Sequence, residues 1–259
     1  IEIYDSTFKR LVDWKYYIQD QFKSDKVELP AGGTYYIKIS DHYTDGMTYA
    51  FKLTSHTHSY TTQVTKATLT QDGNITKKCS CGYVGEKTTI YHPDTVILST
   101  TSYTYDGKSH KPQVTVYDSK SNVISSGNYT LSYGSNTKSI GDHYITIQFT
   151  GNYSGTASSR YTIYPKAPKL TKLSAKSKGF TAKWGKLSSC SGYIVEYSTS
   201  KYFSKSKIVT ISRKSATSTT VRRLKGKKKY YVRVRSYKIA SGYKYYSSWS
   251  NIKSVKTKR

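Results

Sequence analysis

Apolar and polar residues alternate over short stretches of the chain. Between residues 229 and 235, Tyr230, Val232 and Val234 take every second position, with basic or aromatic side chains between them. Strict alternation is typical of a β-strand with one face toward a core. In residues 93–165 such runs recur at about ten-residue spacing with Asp-Gly, Ser-Gly and Gly-Asn pairs between them, which indicates a small β-sandwich. We therefore predict an all-β protein.

The composition points to several small cores rather than one large core. Tyr contributes 28 residues, against 6 Phe and 3 Trp, and tyrosine is favoured in strands that are half buried. Hydrophobic residues make up 36% of the 259 residues, which is low for a single core of this length. We expect tandem small β-sandwiches with a β-rich connector.

Turn-rich joints divide the chain into four segments, and the positive charge lies in the last one. The segments are residues 1–54, 55–92, 93–165 and 166–259. Residues 166–259 hold 26 of the 42 Lys and Arg residues but only one of the 15 acids, Glu196. This excess is far above the net charge of about 2 to 8 that keeps a small domain soluble, and it destabilises the domain by self-repulsion. An anionic polymer as a partner would explain it.

Each of three segments resembles a known domain family. Leu29 to Gly33, followed by Thr34-Tyr35-Tyr36-Ile37, looks like the signature of bacterial pre-peptidase C-terminal-type sandwiches. The resemblance implies that residues 1–54 are the C-terminal part of such a domain, completed from elsewhere. In residues 93–165, the order YTYDGK, KPQVTV and GNYSG resembles bacterial immunoglobulin-like repeats of surface proteins.

The last segment resembles a fibronectin type III domain over residues 166–259. Trp184 matches the buried Trp of the second strand, and Leu224, six residues before Tyr230, matches the tyrosine corner. Tandem sandwiches ending in a Lys-rich domain of this kind look like the C-terminal parts of extracellular proteins of Gram-positive, gut Firmicute-type bacteria. The chain begins in the middle of a pattern, so we expect a piece of a longer secreted protein.

Alternation predicts an exposed basic strip on the strand after residue 228. If Tyr230, Val232 and Val234 face the core, the odd-numbered residues face outward, next to Ile194 and Glu196 of the neighbouring strand. Arg binds phosphate or carboxylate through paired donors, and Tyr offers a flat surface to sugars or cations. The predicted polymer-binding residues are Arg222, Arg223, Lys225, Lys227, Lys228, Lys229, Tyr231, Arg233, Arg235 and Tyr237.

The resemblance ranks the partners that this charge allows. Anionic cell-wall polymers, such as wall teichoic acid or peptidoglycan carboxylates, come first, and host glycans or glycoproteins come second. Nucleic acid suits the charge but not the resemblance. The sequence contains no run of about 18 apolar residues, so it does not predict a membrane-spanning helix.

The connector contains His56, His58, Cys79 and Cys81, which could hold a structural zinc ion, with His92 as an alternative fourth ligand. A single residue separates the two cysteines, whereas structural zinc sites usually place two to four between them. The alternative is a pair of ordinary, half-exposed thiols.

No catalytic pattern is present. The chain lacks G-x-S-x-G, H-E-x-x-H and phosphate-loop motifs. Cys190 could be a reactive thiol, although an incidental surface cysteine is the simpler interpretation. We therefore predict a non-catalytic extracellular, cell-surface or wall-associated binding or adhesion protein. The alternative is the ancillary C-terminal region of a secreted enzyme whose catalytic domain lies upstream of Ile1.

Overall fold

The computed structural model describes residues 2–12, 29, 34–38, 57–80 and 82–259. Within these ranges the regular structure is β-strand, apart from one short 3-10 turn at Ser126–Asn128. The predicted all-β class, with small sandwiches and a β-rich connector, is confirmed. The chain forms two compact units, Ile1–Thr57 and His58–Arg259.

The described part of the first unit is a three-stranded antiparallel sheet in the order β2-β1-β3. The strands are β1 (Glu2–Tyr4), β2 (Arg10–Val12) and β3 (Tyr36–Lys38). The buried Glu2 carboxylate accepts a hydrogen bond from the Tyr4 hydroxyl at 2.6 Å and pairs with Lys38 and Arg10, each at 3.3 Å. The Tyr4 hydrogen bond and these charges hold the pKa of Glu2 below its usual value. Of the sandwich signature at residues 29–33, only Leu29 is described.

The second unit begins with an antiparallel meander, in which β4 and β6 flank β5. The strands are β4 (Tyr60–Thr65), β5 (Gly73–Cys79) and β6 (Val84–Ile90). The loop between β4 and β5 is fixed to the following domain, because the Ala67 amide donates to the Asn152 carbonyl at 3.0 Å and the Ser154 amide donates to the Ala67 carbonyl at 2.8 Å.

The next domain is an immunoglobulin-like sandwich of a two-stranded and a four-stranded sheet, in the orders β7-β9 and β10-β11-β12-β8. Alternate residues of the long strand β11, including Ile145, Ile147 and Phe149, are buried, as the sequence pattern predicts. The strands are β7 (Pro93–Leu98), β8 (Ser102–Thr104), β9 (Val114–Asp118), β10 (Tyr129–Tyr133), β11 (Gly141–Phe149) and β12 (Thr156–Tyr164).

The last domain has the strand arrangement of a fibronectin type III sandwich. A sheet in the order β13-β14-β17 faces a second sheet in the order β16-β15-β18, and both β19 and β20 pair with β18. The strands are β13 (Leu170–Lys176), β14 (Gly179–Trp184), β15 (Gly192–Ser198), β16 (Lys207–Ile211), β17 (Ser218–Val221), β18 (Lys229–Ala240), β19 (Tyr243–Tyr246) and β20 (Lys253–Lys256).

The core of this sandwich contains the residues on which the family resemblance depends. Trp184 is buried on β14, and its indole nitrogen donates to the Ala216 carbonyl at 3.0 Å. The Tyr230 hydroxyl accepts a hydrogen bond from the Lys225 amide at 3.3 Å, as a tyrosine corner requires. This corner anchors the loop between β17 and β18, which carries much of the basic charge.

Cys190 belongs to the same core, so the expectation of a surface cysteine is wrong. The thiol lies 3.5 Å from the Leu187 carbonyl. Burial and a hydrogen bond with Cys190 raise the pKa of Tyr193 to about 12. A thiol that packs inside a sandwich has little access to a substrate or an oxidant.

Candidate functional site

Three stretches of the last domain that are far apart in sequence meet at one end of the sandwich, which we name the basic end. They are the turn between β13 and β14, the loop between β17 and β18, and the segment from the end of β20 onward. Their Lys and Arg side chains are exposed. The basic end comprises Lys176, Lys178, Arg222, Arg223, Lys225, Lys227, Lys228, Lys229, Lys256, Lys258 and Arg259.

Backbone hydrogen bonds hold the three stretches together. The Lys178 amide donates to the Lys258 carbonyl at 3.2 Å, and the Leu224 amide donates to the Lys178 carbonyl at 2.8 Å. Thr257 is buried, and its hydroxyl donates to the Lys225 carbonyl at 2.7 Å and accepts from the Lys228 amide at 3.1 Å. The fold therefore places the bases side by side on a fixed backbone.

Three bases of this end have a backbone conformation that long side chains rarely adopt. Lys178, Arg223 and Lys227 have φ angles of 44°, 58° and 53°. The left-handed region costs a non-glycine residue about 1 to 2 kcal/mol, and Gly or Asn tolerates it better. At these three positions the chain has a basic residue where Gly or Asn would have a less strained backbone. Backbone strain of this kind is often found at functional sites.

The domain offers these bases no carboxylate partner. Its single acid, Glu196, lies on β15 opposite Arg233, and the Arg233 Nε donates to Glu196 Oε2 at 2.6 Å. The Ser206 hydroxyl donates to the other carboxylate oxygen at 2.5 Å. Among the described residues of the last domain, the Glu196–Arg233 contact is the one ion pair between side chains. Within the last domain, therefore, no acidic side chain neutralises the basic end.

Glu196 lies beside the strip of β18, as predicted, but its predicted exposure is wrong. Only 8% of Glu196 is exposed, and Ile194, opposite Arg235 on the same face, is also buried. Alternation places these residues on the outer face correctly, yet other side chains cover that face. The strip of β18 is therefore not a bare surface.

The cover is a stack of rings and guanidinium groups, which we name the arginine ladder. The Arg233 guanidinium carbon lies 4.0 Å from the ring centre of Phe203 and 4.4 Å from that of Trp249. The Arg235 guanidinium carbon lies 4.5 Å from the ring centre of Trp249 and 4.2 Å from that of Tyr246. Among the described residues, the buried Arg235 Nε has no hydrogen-bond partner. Arg235 therefore interacts mainly with aromatic rings, whereas Arg233 combines its ring contacts with the hydrogen bond to Glu196.

Serine side chains hold this ladder in place. The Val234 amide donates to the Ser250 hydroxyl at 3.0 Å, and the Ser250 amide donates to the Val234 carbonyl at 2.8 Å. Ser247 makes the same pair of bonds with Ser236, each at 3.0 Å. The aromatic members of the ladder, Phe203, Tyr246 and Trp249, were not predicted from the sequence. Serines at positions 247 and 250, on either side of Trp249, were the available signal.

Tyr237 is not available to a ligand, which corrects the predicted exposure. It is 3% exposed, because its ring lies under Gly192, where an added Cβ would come within 2.7 Å of the Tyr237 hydroxyl. Tyr231 is partly exposed, with the Lys229 Nζ 5.2 Å from its ring centre. The predicted polymer-binding residues thus divide into an exposed group in the loop and at the start of β18, and a covered group farther along the strand.

The predicted zinc ligands fall partly outside the described residues, since His56 and Cys81 are not among them. Cys79 is buried at the end of β5, and the His58 ring stacks on Tyr83 with 4.4 Å between centres. His92, the alternative ligand, instead bonds through Nδ1 to the Asp72 carboxylate at 2.6 Å. The described residues contain no group of three or more His, Cys, Asp or Glu side chains that could hold a metal. The zinc site stays a prediction.

The described residues include no helix that is long and apolar enough to cross a membrane.

No protein-family model matches the chain, and no curated protein matches it. Solved structures are similar to it at low identity. One is a segment of two fibronectin type III domains from chicken tenascin, with 15% identity, 76% of this chain and 98% of that chain covered, and a TM-score of 0.36. Another is the structure of the FN1-FN3 domains of chicken CNTN1, with 14% identity and a TM-score of 0.32. The match covers 73% of this chain and 75% of that chain. At these values the likeness says nothing about ligands.

Proposed function

We propose that this chain is a non-catalytic extracellular binding protein, retained on an anionic polymer of a cell surface through the basic end of its last domain. The observation that carries the proposal is the convergence of three basic stretches on one fixed surface, in a domain whose single acid is already paired. Anionic wall polymers are the first choice of partner, and host glycans or glycoproteins are the second.

The physics of exposed charge favours a polymer over a small ligand. A single exposed ion pair contributes about 0 to 1 kcal/mol, and a charge acts over about 8 Å at physiological salt. A small anion would therefore engage too few of these bases to bind well. A polymer with many phosphates or carboxylates engages many of them together and releases its counterions, as anionic polymers do.

The test compares two triple variants of the full chain. The first removes charge from the basic end through Lys225→Gln, Lys227→Asn and Lys228→Gln. The control removes the same charge from the opposite end through Lys186→Gln, Arg213→Gln and Lys214→Gln, which strand pairing places beside the far ends of β14, β16 and β17. Arg233 and Arg235 stay unchanged, because their loss would damage the arginine ladder.

Binding is measured on purified wall teichoic acid, on peptidoglycan free of it, and on heparin, at low and high salt. We expect affinity to fall steeply with salt, to fall about tenfold or more in the basic-end variant, and to change about twofold in the control. Equal losses in both variants would show that total charge, not the basic end, binds the polymer. If no anionic polymer binds even at low salt, the proposed function is wrong.

A further inference from the structure

A hairpin of the last domain reaches the immunoglobulin-like domain. The paired part of β15 ends opposite Tyr237, but β18 continues to Ala240 and pairs there with β19. Tyr245 of β19 packs against the core of the immunoglobulin-like sandwich. Gly141 lies against the hairpin, since a Cβ there would be in ordinary contact with the Ala240 Cβ at 3.7 Å and the Tyr245 ring at 3.9 Å, and its φ of 141° favours glycine. The two domains therefore meet through fixed contacts.

A cleft of about 340 Å³ lies at this junction. Strand β11 of one domain and the β18–β19 hairpin of the other supply its walls. Small-ligand sites have volumes of about 300 to 1,000 Å³ and are often found between domains. Its lining includes Asp142, Tyr144, Lys238, Ser241, Tyr243 and Tyr245.

The lining combines open aromatic rings with polar groups. Tyr243 is 71% exposed and Tyr144 is 58% exposed, so both rings are available to a ligand. Single exposed apolar residues are common on protein surfaces and need no explanation. Two large exposed rings beside one cleft form a cluster, and such clusters often indicate a binding site. Rings of this kind offer flat apolar faces, and their hydroxyls offer hydrogen bonds.

Asp142 is held in a fixed position in the cleft wall. Its Oδ1 accepts a hydrogen bond from the Thr162 hydroxyl at 2.6 Å, and its Oδ2 accepts one from Arg160 Nη1 at 3.2 Å. The pKa of the neighbouring Tyr245 is raised, first by burial and then by the Asp142 charge. A carboxylate has about four lone-pair positions, so it can accept a further hydroxyl. Fixed acceptors lose little freedom when a ligand binds.

We propose that this cleft binds a neutral saccharide. The rings of Tyr144 and Tyr243 pack on the apolar faces of sugar rings, Asp142 accepts a sugar hydroxyl, and Lys238 donates to a ring or hydroxyl oxygen. Asp142 is already paired with Arg160, and Lys238 is the one ammonium group named in the lining, so the cleft lacks the large excess of positive charge that characterises the basic end. The site is independent of the basic end and uses different residues.

The experiment measures binding of cellotetraose, chitotetraose and maltotetraose to the full chain by saturation-transfer NMR and calorimetry. The variants are Tyr144→Ala and Tyr243→Ala. The control is Tyr202→Ala, since Tyr202 is an even more exposed tyrosine on the loop after β15, away from the cleft. All three side chains are exposed, so the variants should fold, which circular dichroism checks.

We expect at least one of these oligosaccharides to bind, each cleft variant to weaken it about tenfold, and the control to change it about twofold or less. Binding should differ little between low and high salt, unlike polymer binding at the basic end. If none of the three binds, or if binding survives both cleft variants, the saccharide site is refuted. Binding that salt abolishes would also refute it and would assign the sugar to the basic end. The polymer proposal stands or falls separately, on its own variants.

Discussion

Substitution of Trp249 by Leu tests whether cation–π contacts stabilise the last domain. The indole lies between two guanidinium groups, 4.4 Å from the carbon of Arg233 and 4.5 Å from that of Arg235. Leu keeps an apolar side chain at the position but has no aromatic face. The variant therefore removes both cation contacts at once and leaves the paired serines unchanged.

The expected loss follows from the burial of the two arginines. A cation–π contact contributes about 0.5 to 1 kcal/mol at an exposed site and about 2 kcal/mol when desolvated. Both arginines are partly buried, so we assign about 1 kcal/mol to each contact, and about 1 kcal/mol more to the smaller side chain. The free energy of unfolding should therefore fall by about 3 kcal/mol, the sum of the two contacts and the smaller side chain.

Urea unfolding of the full chain, followed by tryptophan fluorescence, measures this loss. Trp184 lies in the core of the same sandwich and reports its unfolding locally. Replacing Trp14 by Phe in every protein compared removes the one tryptophan outside the described residues. The matched control is Trp249→Phe, which keeps an aromatic face and should lose about 1 kcal/mol. If the Leu and Phe variants lose the same free energy, packing alone explains the ladder and the cation–π argument fails.

Two further substitutions test the acid and the strained loop. Glu196→Gln should lower the free energy of unfolding by about 1 to 3 kcal/mol, because Arg233 then keeps a partly buried charge without a carboxylate. The same urea assay measures this, and a loss below about 0.5 kcal/mol would contradict it. Lys227→Asn should raise the free energy of unfolding by about 0.5 to 1 kcal/mol while weakening polymer binding, since Asn suits a positive φ better. A less stable variant would show that the backbone there is not strained.

The fold could be predicted because its signals are local. Alternation identifies which residues of β18 face the core, and the spacing of Leu224 and Tyr230 identifies the corner before it. The pairing of Glu196 with Arg233 also follows from local information, because neighbouring strands in a known topology place these residues opposite each other. Alternation cannot tell whether the outer face is covered.

The candidate site was harder to predict, because the residues that cover the outer face of β18 come from another part of the chain. The segment after β19 is rich in serine and resembles a turn in sequence, yet its hydroxyls pair with β18 and place Trp249 over the two arginines.

The basic end could not be located from the sequence for a different reason. Composition assigns the charge to the last domain, but only the fold brings Lys178, Lys225 and Lys258 together. Contacts between such distant residues are not encoded in any one stretch of sequence.

The geometry of β18 links the two proposed sites. The strand begins at the basic end and finishes in the hairpin that forms the interdomain cleft. At about 3.3 Å per residue, its 12 residues separate the two sites by about 40 Å. The middle of this strand pairs with β15 and carries the arginine ladder, so the fold sets the separation. A polymer that carries both acidic groups and neutral sugars gains from both sites only if it spans this distance, whereas a short oligomer occupies one site or the other.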